Sequence, residues 1–149
     1  MKSYWLRVTE RPALSRLSNH LLQVSLCFRI FLFAMAVPAL MRLKLPRLRR
    51  LLEPRNPIAV AEPATIRQIA TYVEYVLLAA RPLVRPGCLT RGLTLYYFLR
   101  RAGLDVHLCF GIGRVNEEFV GHCWLLKDGQ PFMEARDPAP TFKEVYAFR

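Results

Sequence analysis

Acidic residues are scarce in this chain: 11 Asp and Glu stand against 22 Lys and Arg, a net charge of +11 over 149 residues. Glycine is scarce as well, at 7, and no internal repeat or low-complexity segment occurs, which excludes disordered and fibrous architectures. The four cysteines, Cys27, Cys88, Cys109 and Cys123, form no CxxC pair and lack the density of a disulfide scaffold. A reducing, cytoplasmic setting is therefore expected. The first residues, with Tyr4, Trp5, Glu10 and Pro12, do not make the basic and then apolar pattern of a secretory signal. Long uncharged runs are absent too. Arg29 divides the stretch from Leu17 to Met41 into two runs of twelve residues, and Pro38 interrupts the second, whereas a bilayer span takes ~20 apolar residues.

What is present is enough hydrophobic material, 53% of residues, to bury one core, in a chain too short for a multi-domain enzyme. The charge is unevenly placed. Residues 1–55 carry eleven Lys and Arg against Glu10 and Glu53, while residues 56–149 carry eleven against nine acids. Such a balance favours anionic partners without naming one. The division points to a basic, hydrophobic, helical N-terminal region over 1–55 and a core over 56–149, joined by a linker from Glu53 to Pro63 that contains Pro54, Pro57 and Pro63.

Along the chain, residues 17–41 read as one or two helices, and the leucines among arginines from Met41 to Leu52 suit a helix lying on the core, on a partner or on a membrane surface. From Ala64, with Thr65 as N-cap, Ile66, Ile69, Ala70, Val73, Val76, Leu77 and Ala80 recur at threes and fours and predict an amphipathic helix ending before Pro82. Cys88 to Ala102 predicts another, closed by Gly103. Strands follow at Asp105 to Gly113, Phe119 to Lys127 and Gln130 to Ala135, with a polar turn at Arg114 to Glu118 and a hairpin at Asp128-Gly129. The fold class is α+β, helices packed on an antiparallel meander.

Cys88 stands at a helix start, where unpaired backbone N–H groups and the helix dipole favour thiolate over thiol. On the second strand His122 shares a face with Val120, Trp124 and Leu126, and Gly121, Cys123 and Leu125 share the other. Whether Glu134 can orient His122 depends on the hairpin. A three-residue loop, Lys127-Asp128-Gly129, sets Glu134 opposite His122 with Cβ atoms ~5 Å apart, whereas a two-residue loop sends it to the other face. Asp128 lies too far from His122 to serve, and Asp137, just past the strand end, is the substitute. Together these residues have the logic of a Cys-His-acid hydrolase, in which the imidazole takes the thiol proton and the acid holds the imidazole. That chemistry calls for no cofactor.

The run Cys88-Leu-Thr-Arg-Gly-Leu-Thr-Leu-Tyr-Tyr-Phe-Leu-Arg-Arg-Ala-Gly-Leu-Asp-Val, followed by Gly111-Ile-Gly, Gly121-His-Cys-Trp-Leu, Asp128-Gly-Gln-Pro and Glu134, resembles the leader peptidases of lasso-peptide biosynthesis. These are transglutaminase-like, papain-like cysteine proteases, similar to the C-terminal half of the microcin-maturation protease. The resemblance covers roughly residues 40 to 145. It implies Cys88 as nucleophile, His122 as general base and acid, and Glu134 as the acidic third member. Two departures stand out: Cys123 replaces the usual alanine between the histidine and the tryptophan, and Glu134 stands where an aspartate is common. The resemblance also implies a leader-bearing precursor as substrate, a separate leader-recognition protein and an ATP-using cyclase that closes a macrolactam. Residues 41–55 offer a basic face for docking one of them.

Other readings are weaker. A zinc site from His107, Cys109, His122 and Cys123 fails because residues 122 and 123 point to opposite faces of one strand. A nucleic-acid module would account for the charge, but the basic third lacks interleaved aromatics and a binding motif. The serious rival is a non-catalytic transglutaminase-like protein that binds peptides or serves as a scaffold, attached to a complex or a membrane through residues 17–55.

Overall fold

The computed structural model describes residues 12–54, 59–81, 83–84 and 87–148, with side chains from residue 20 onward. Four helices come first, α1 (Pro12–Leu40), α2 (Leu45–Leu52), α3 (Pro63–Ala79) and α4 (Cys88–Arg101), and then four strands, β1 (His107–Val115), β2 (Glu118–Lys127), β3 (Gln130–Phe132) and β4 (Phe142–Phe148). The N-terminal hydrophobic stretch is thus one helix. Arg29 does not divide it, because its side chain is exposed, and Pro38 lies so near the end that the helix closes normally, with Met41 N–H donating to Val37 C=O at 2.9 Å.

α2 lays Leu48 and Leu52 on the core and turns Arg47 and Arg50 to water. Its last carbonyls receive a cation from another helix. Arg101 on α4 donates through Nη1 to Leu52 C=O at 2.7 Å, with its guanidinium 3.6 Å from the centre of the Tyr97 ring. α3 begins one residue before the expected start. Glu62 is its N-cap and makes no side-chain bond, so Thr65 is not the cap; Pro63 sets the first turn. The end of α4 follows the sequence reading. Gly103 adopts φ 78°, Leu104 N–H donates to Leu99 C=O and Gly103 N–H to Arg100 C=O, the double bond pattern of a Schellman cap.

The strands form one antiparallel sheet in the order β3-β2-β1-β4. Both tight hairpins use two residues at positive φ, Asn116 (50°) and Glu117 (69°), then Asp128 (52°) and Gly129 (76°), as the right-handed twist of flanking strands prefers. β3 stops at Phe132, three residues before the expected end, because Met133 takes φ 57° and turns the chain out of the ladder. β4, which the sequence reading did not contain, pairs with the outer edge of β1, with a shift between Phe110 and Gly111 that skips Val145.

One face of the sheet, carrying Leu108, Phe110, Cys123, Leu125, Phe132 and Phe148, packs against the helices. Ile30, Ala34 and Val37 of α1 and Leu48 and Leu52 of α2 belong to the same core, and Phe33 stacks on Tyr97 with ring centres 4.2 Å apart. Regions 1–55 and 56–149 therefore share one interior. Part of the expected linker between them, residues 55–58, lies outside the described residues; at its far end Ala61 N–H donates to Ala102 C=O at 2.8 Å.

Candidate active site

Cys88 is the first residue of α4. Its N-cap, Gly87, is extended and supplies no side-chain cap, and the first turn holds no acid, so the opening N–H groups stand beside the thiol without a side-chain acceptor. The thiol is half-buried. One turn on, Gly92 lets α4 lie flat on the sheet: a Cβ there would come 2.7 Å from Cys123 Sγ and 3.2 Å from Leu108 Cδ1. A glycine inside an otherwise good helix run is the sequence signal for such close approach, and it passed without notice in the sequence.

β2 turns Cys123 toward α4. Burial pushes the Cys123 thiol far up, and the neighbouring Cys88 and Glu134 add to the effect while Arg91 opposes it, so Cys123 stays a neutral thiol next to the candidate nucleophile.

The hairpin register corrects one expectation. Lys127 pairs with Gln130, Leu126 with Pro131 and Leu125 with Phe132, which is the two-residue Asp128-Gly129 loop and not the three-residue one. Continued, this register would set Glu134 opposite Cys123, not His122. After the turn at Met133 the Glu134 carboxylate, only 12% exposed, accepts from Arg91 Nη1 at 3.1 Å. Arg91 also donates through Nε to Glu74 of α3 at 2.6 Å and through Nη2 to Met133 C=O. Arg91 thereby ties α3, α4 and the exit of β3 together beside Cys88. Its position three residues after Cys88 was visible in the sequence, but its partners, 17 and 43 residues away, were not.

His122 shares its face with Trp124, as the alternation predicts. Its ring stacks on Phe142 of β4 with centres 4.8 Å apart and lies 5.9 Å from the Trp124 ring. Gly111 is its cross-strand partner, and a Cβ there would lie 2.6 Å from the Trp124 indole, so the indole covers β1 only because that position is bare. Among the described residues no hydrogen bond joins His122 to Cys88 or to Glu134. Asp137 accepts from Ala139 N–H at 2.9 Å and shapes its own loop. Asp128 pairs with Lys127 at the hairpin tip.

The structure thus brings Cys88, Arg91, Cys123 and Glu134 together and leaves His122 on the adjacent strand position, facing aromatic rings. A groove lined by Glu74, Leu77, Leu78, Arg81, Gly87 and Arg91 opens beside the start of α4. Among the described residues no three His, Cys, Asp or Glu side chains are grouped to hold a metal ion.

Compared with known protein families, residues 32–147 match the model of the transglutaminase-like superfamily. No curated protein and no solved structure matches the chain.

Proposed function

Because the chain belongs to the transglutaminase-like superfamily, which includes cysteine peptidases, we propose that it is a cysteine peptidase that removes the leader from a ribosomally made lasso-peptide precursor. The observation that carries the reading is the placement of Cys88: a thiol at a helix start without a side-chain cap, on a helix that packs through Gly92 against Cys123, the residue that follows His122. Cys88 Sγ attacks the scissile carbonyl as the imidazole of His122 takes the thiol proton; the same proton goes to the leaving amine as the C–N bond breaks. Water then attacks the thioester, giving up a proton to the imidazole; the C–S bond breaks, the acyl part leaves as a carboxylic acid, and the imidazolium returns the proton to the thiolate of Cys88. The Cys88 backbone N–H is the oxyanion donor the helix start offers.

In this reading Glu134 is the acidic member, and its carboxylate, paired with Arg91 of α4 in the structure, has to exchange that partner for the imidazole. His122 stacks on Phe142, on the face of β2 opposite Cys123 and α4, so the reaction requires β2 to rearrange locally around residues 122 and 123, and not a side-chain rotation alone. The lasso-specific part of the proposal, with its leader-recognition protein and macrolactam-forming cyclase as partners, is supported by the run from Cys88 to Val106 and the Gly121 to Leu125 segment.

The stacked His122 and the Arg91–Glu134 pair favour a second reading, a non-catalytic peptide-binding or scaffolding protein. Limiting iodoacetamide at pH about 6, below the free-thiol range, separates the two. Cys27 and Cys88 are both half-buried and Cys109 and Cys123 are buried. A peptidase alkylates at Cys88 about tenfold or more faster than at Cys27, and His122→Ala removes that preference in a protein of unchanged circular dichroism. Equal rates at Cys27 and Cys88, indifferent to His122→Ala, would leave the scaffold reading.

A further inference from the structure

The outward face of α1 carries large apolar side chains at spacings of three and four: Leu21, Val24, Phe28, Leu32 and Met35, with Phe28 59% and Leu32 50% exposed. Opposite them, Ile30, Ala34 and Val37 sit in the core. A groove between α1 and α3, lined by Cys27, Phe31, Tyr75 and Leu83 among others, widens the apolar surface. An uncovered apolar patch of this kind marks a binding surface. The charge around it selects the occupant. From Arg11 to Leu52 the sequence has no Asp or Glu and eight Lys and Arg. Arg29 stands at the margin of the stripe, and Arg42, Lys44, Arg47 and Arg50 follow its C-terminal end, all exposed and without an ion pair among the described residues.

We propose that α1 and the start of α2 form a docking surface for an anionic lipid bilayer, with α1 lying in the plane of the interface. Lipid headgroups supply the negative charge that the chain itself withholds from this region, and acyl chains cover the apolar stripe. A second copy of the chain is disfavoured as occupant because pairing through α1 brings two acid-free, cationic segments together. Spanning is disfavoured because, although residues His20–Leu40 are long and apolar enough to cross a membrane, with a mean hydropathy of 1.9, one side of that helix is committed to the core of the fold. A spanning helix on its own would have to surrender that side to lipid.

Flotation of the full chain with vesicles tests this, using phosphatidylcholine alone and phosphatidylcholine mixed with phosphatidylglycerol. The expected result is binding to the anionic vesicles, release by high salt, and little binding to the neutral ones. Phe28→Ser with Leu32→Ser, both at exposed positions, lowers partitioning about tenfold or more. Arg42→Gln with Lys44→Gln lowers it about fivefold per cation, with unchanged circular dichroism in each case. Absence of binding to anionic vesicles overturns the proposal, as does binding that survives both double variants. Salt-resistant binding to both vesicle types overturns the interfacial geometry. A dimer by light scattering that the Phe28→Ser, Leu32→Ser variant breaks, in a chain that ignores vesicles, assigns the face to a second copy instead.

Discussion

The contact between Gly92 and Cys123 decides how closely α4 approaches β2, and with it where Cys88 sits. Gly92→Ala adds a methyl 2.7 Å from Cys123 Sγ, and overpacking of this kind costs about 1–3 kcal/mol against a gain in helix propensity of about 1 kcal/mol. The expected net result is destabilisation, and adding Cys123→Ala, which removes the colliding sulfur, recovers part of it. A urea-denaturation double-mutant cycle reads that coupling; strict additivity would mean that α4 shifts rather than clashes. At this scale the sequence was informative about identity and poor about partners. Cys88 could be placed at a helix start from the glycine and proline before it, and the face of His122 followed from strand alternation. The partner of Glu134 could not be read, because Asp128-Gly129 suits both a two- and a three-residue loop, and one residue of register exchanges Arg91 for His122 as its neighbour.

Among the elements, α3, α4 and β2 were legible because their apolar periods are strong and their ends carry proline or glycine. β4 was missed because Lys143 and Glu144 interrupt its apolar pattern and both are exposed; it owes its place to pairing with β1, a partner some thirty residues earlier in the chain. α1 was undecided between one helix and two, since an arginine that interrupts hydropathy need not interrupt hydrogen bonding when its side chain faces out. The junction between α2 and α4 rests on Arg101, which meets Leu52 C=O and covers Tyr97. Arg101→Ala removes a charge-assisted bond and a cation–π contact, and a loss of about 1–3 kcal/mol is expected in urea melts. Arg101→Lys, which keeps the charge but not the planar stack, is expected to fall between Arg101→Ala and the parent protein.

For the molecule as a whole, the transglutaminase-like fold begins before the proline-rich segment at 53–63, since the family match starts at residue 32 and the side chains of α1 and α2 are core side chains. Composition suggested an appended region because its charge differs so much from the rest, but charge reports on the solvent side of a helix and not on what its other side touches. A fragment of residues 56–149 leaves the Tyr97 and Phe98 side of α4 uncovered. It is expected to lack a cooperative thermal transition, whereas the full chain shows one; a fragment that melts cooperatively would mean that α1 and α2 are dispensable. The position of Phe148 adds a temporal consequence. Its ring is fully buried between Tyr96 and Phe110, in β4, the last strand among the described residues. During synthesis α1 is made before β4, with both of its apolar faces bare, and the interior that will take one of them does not close until β4 has been made. In that interval both faces of the nascent helix stay open to other contacts.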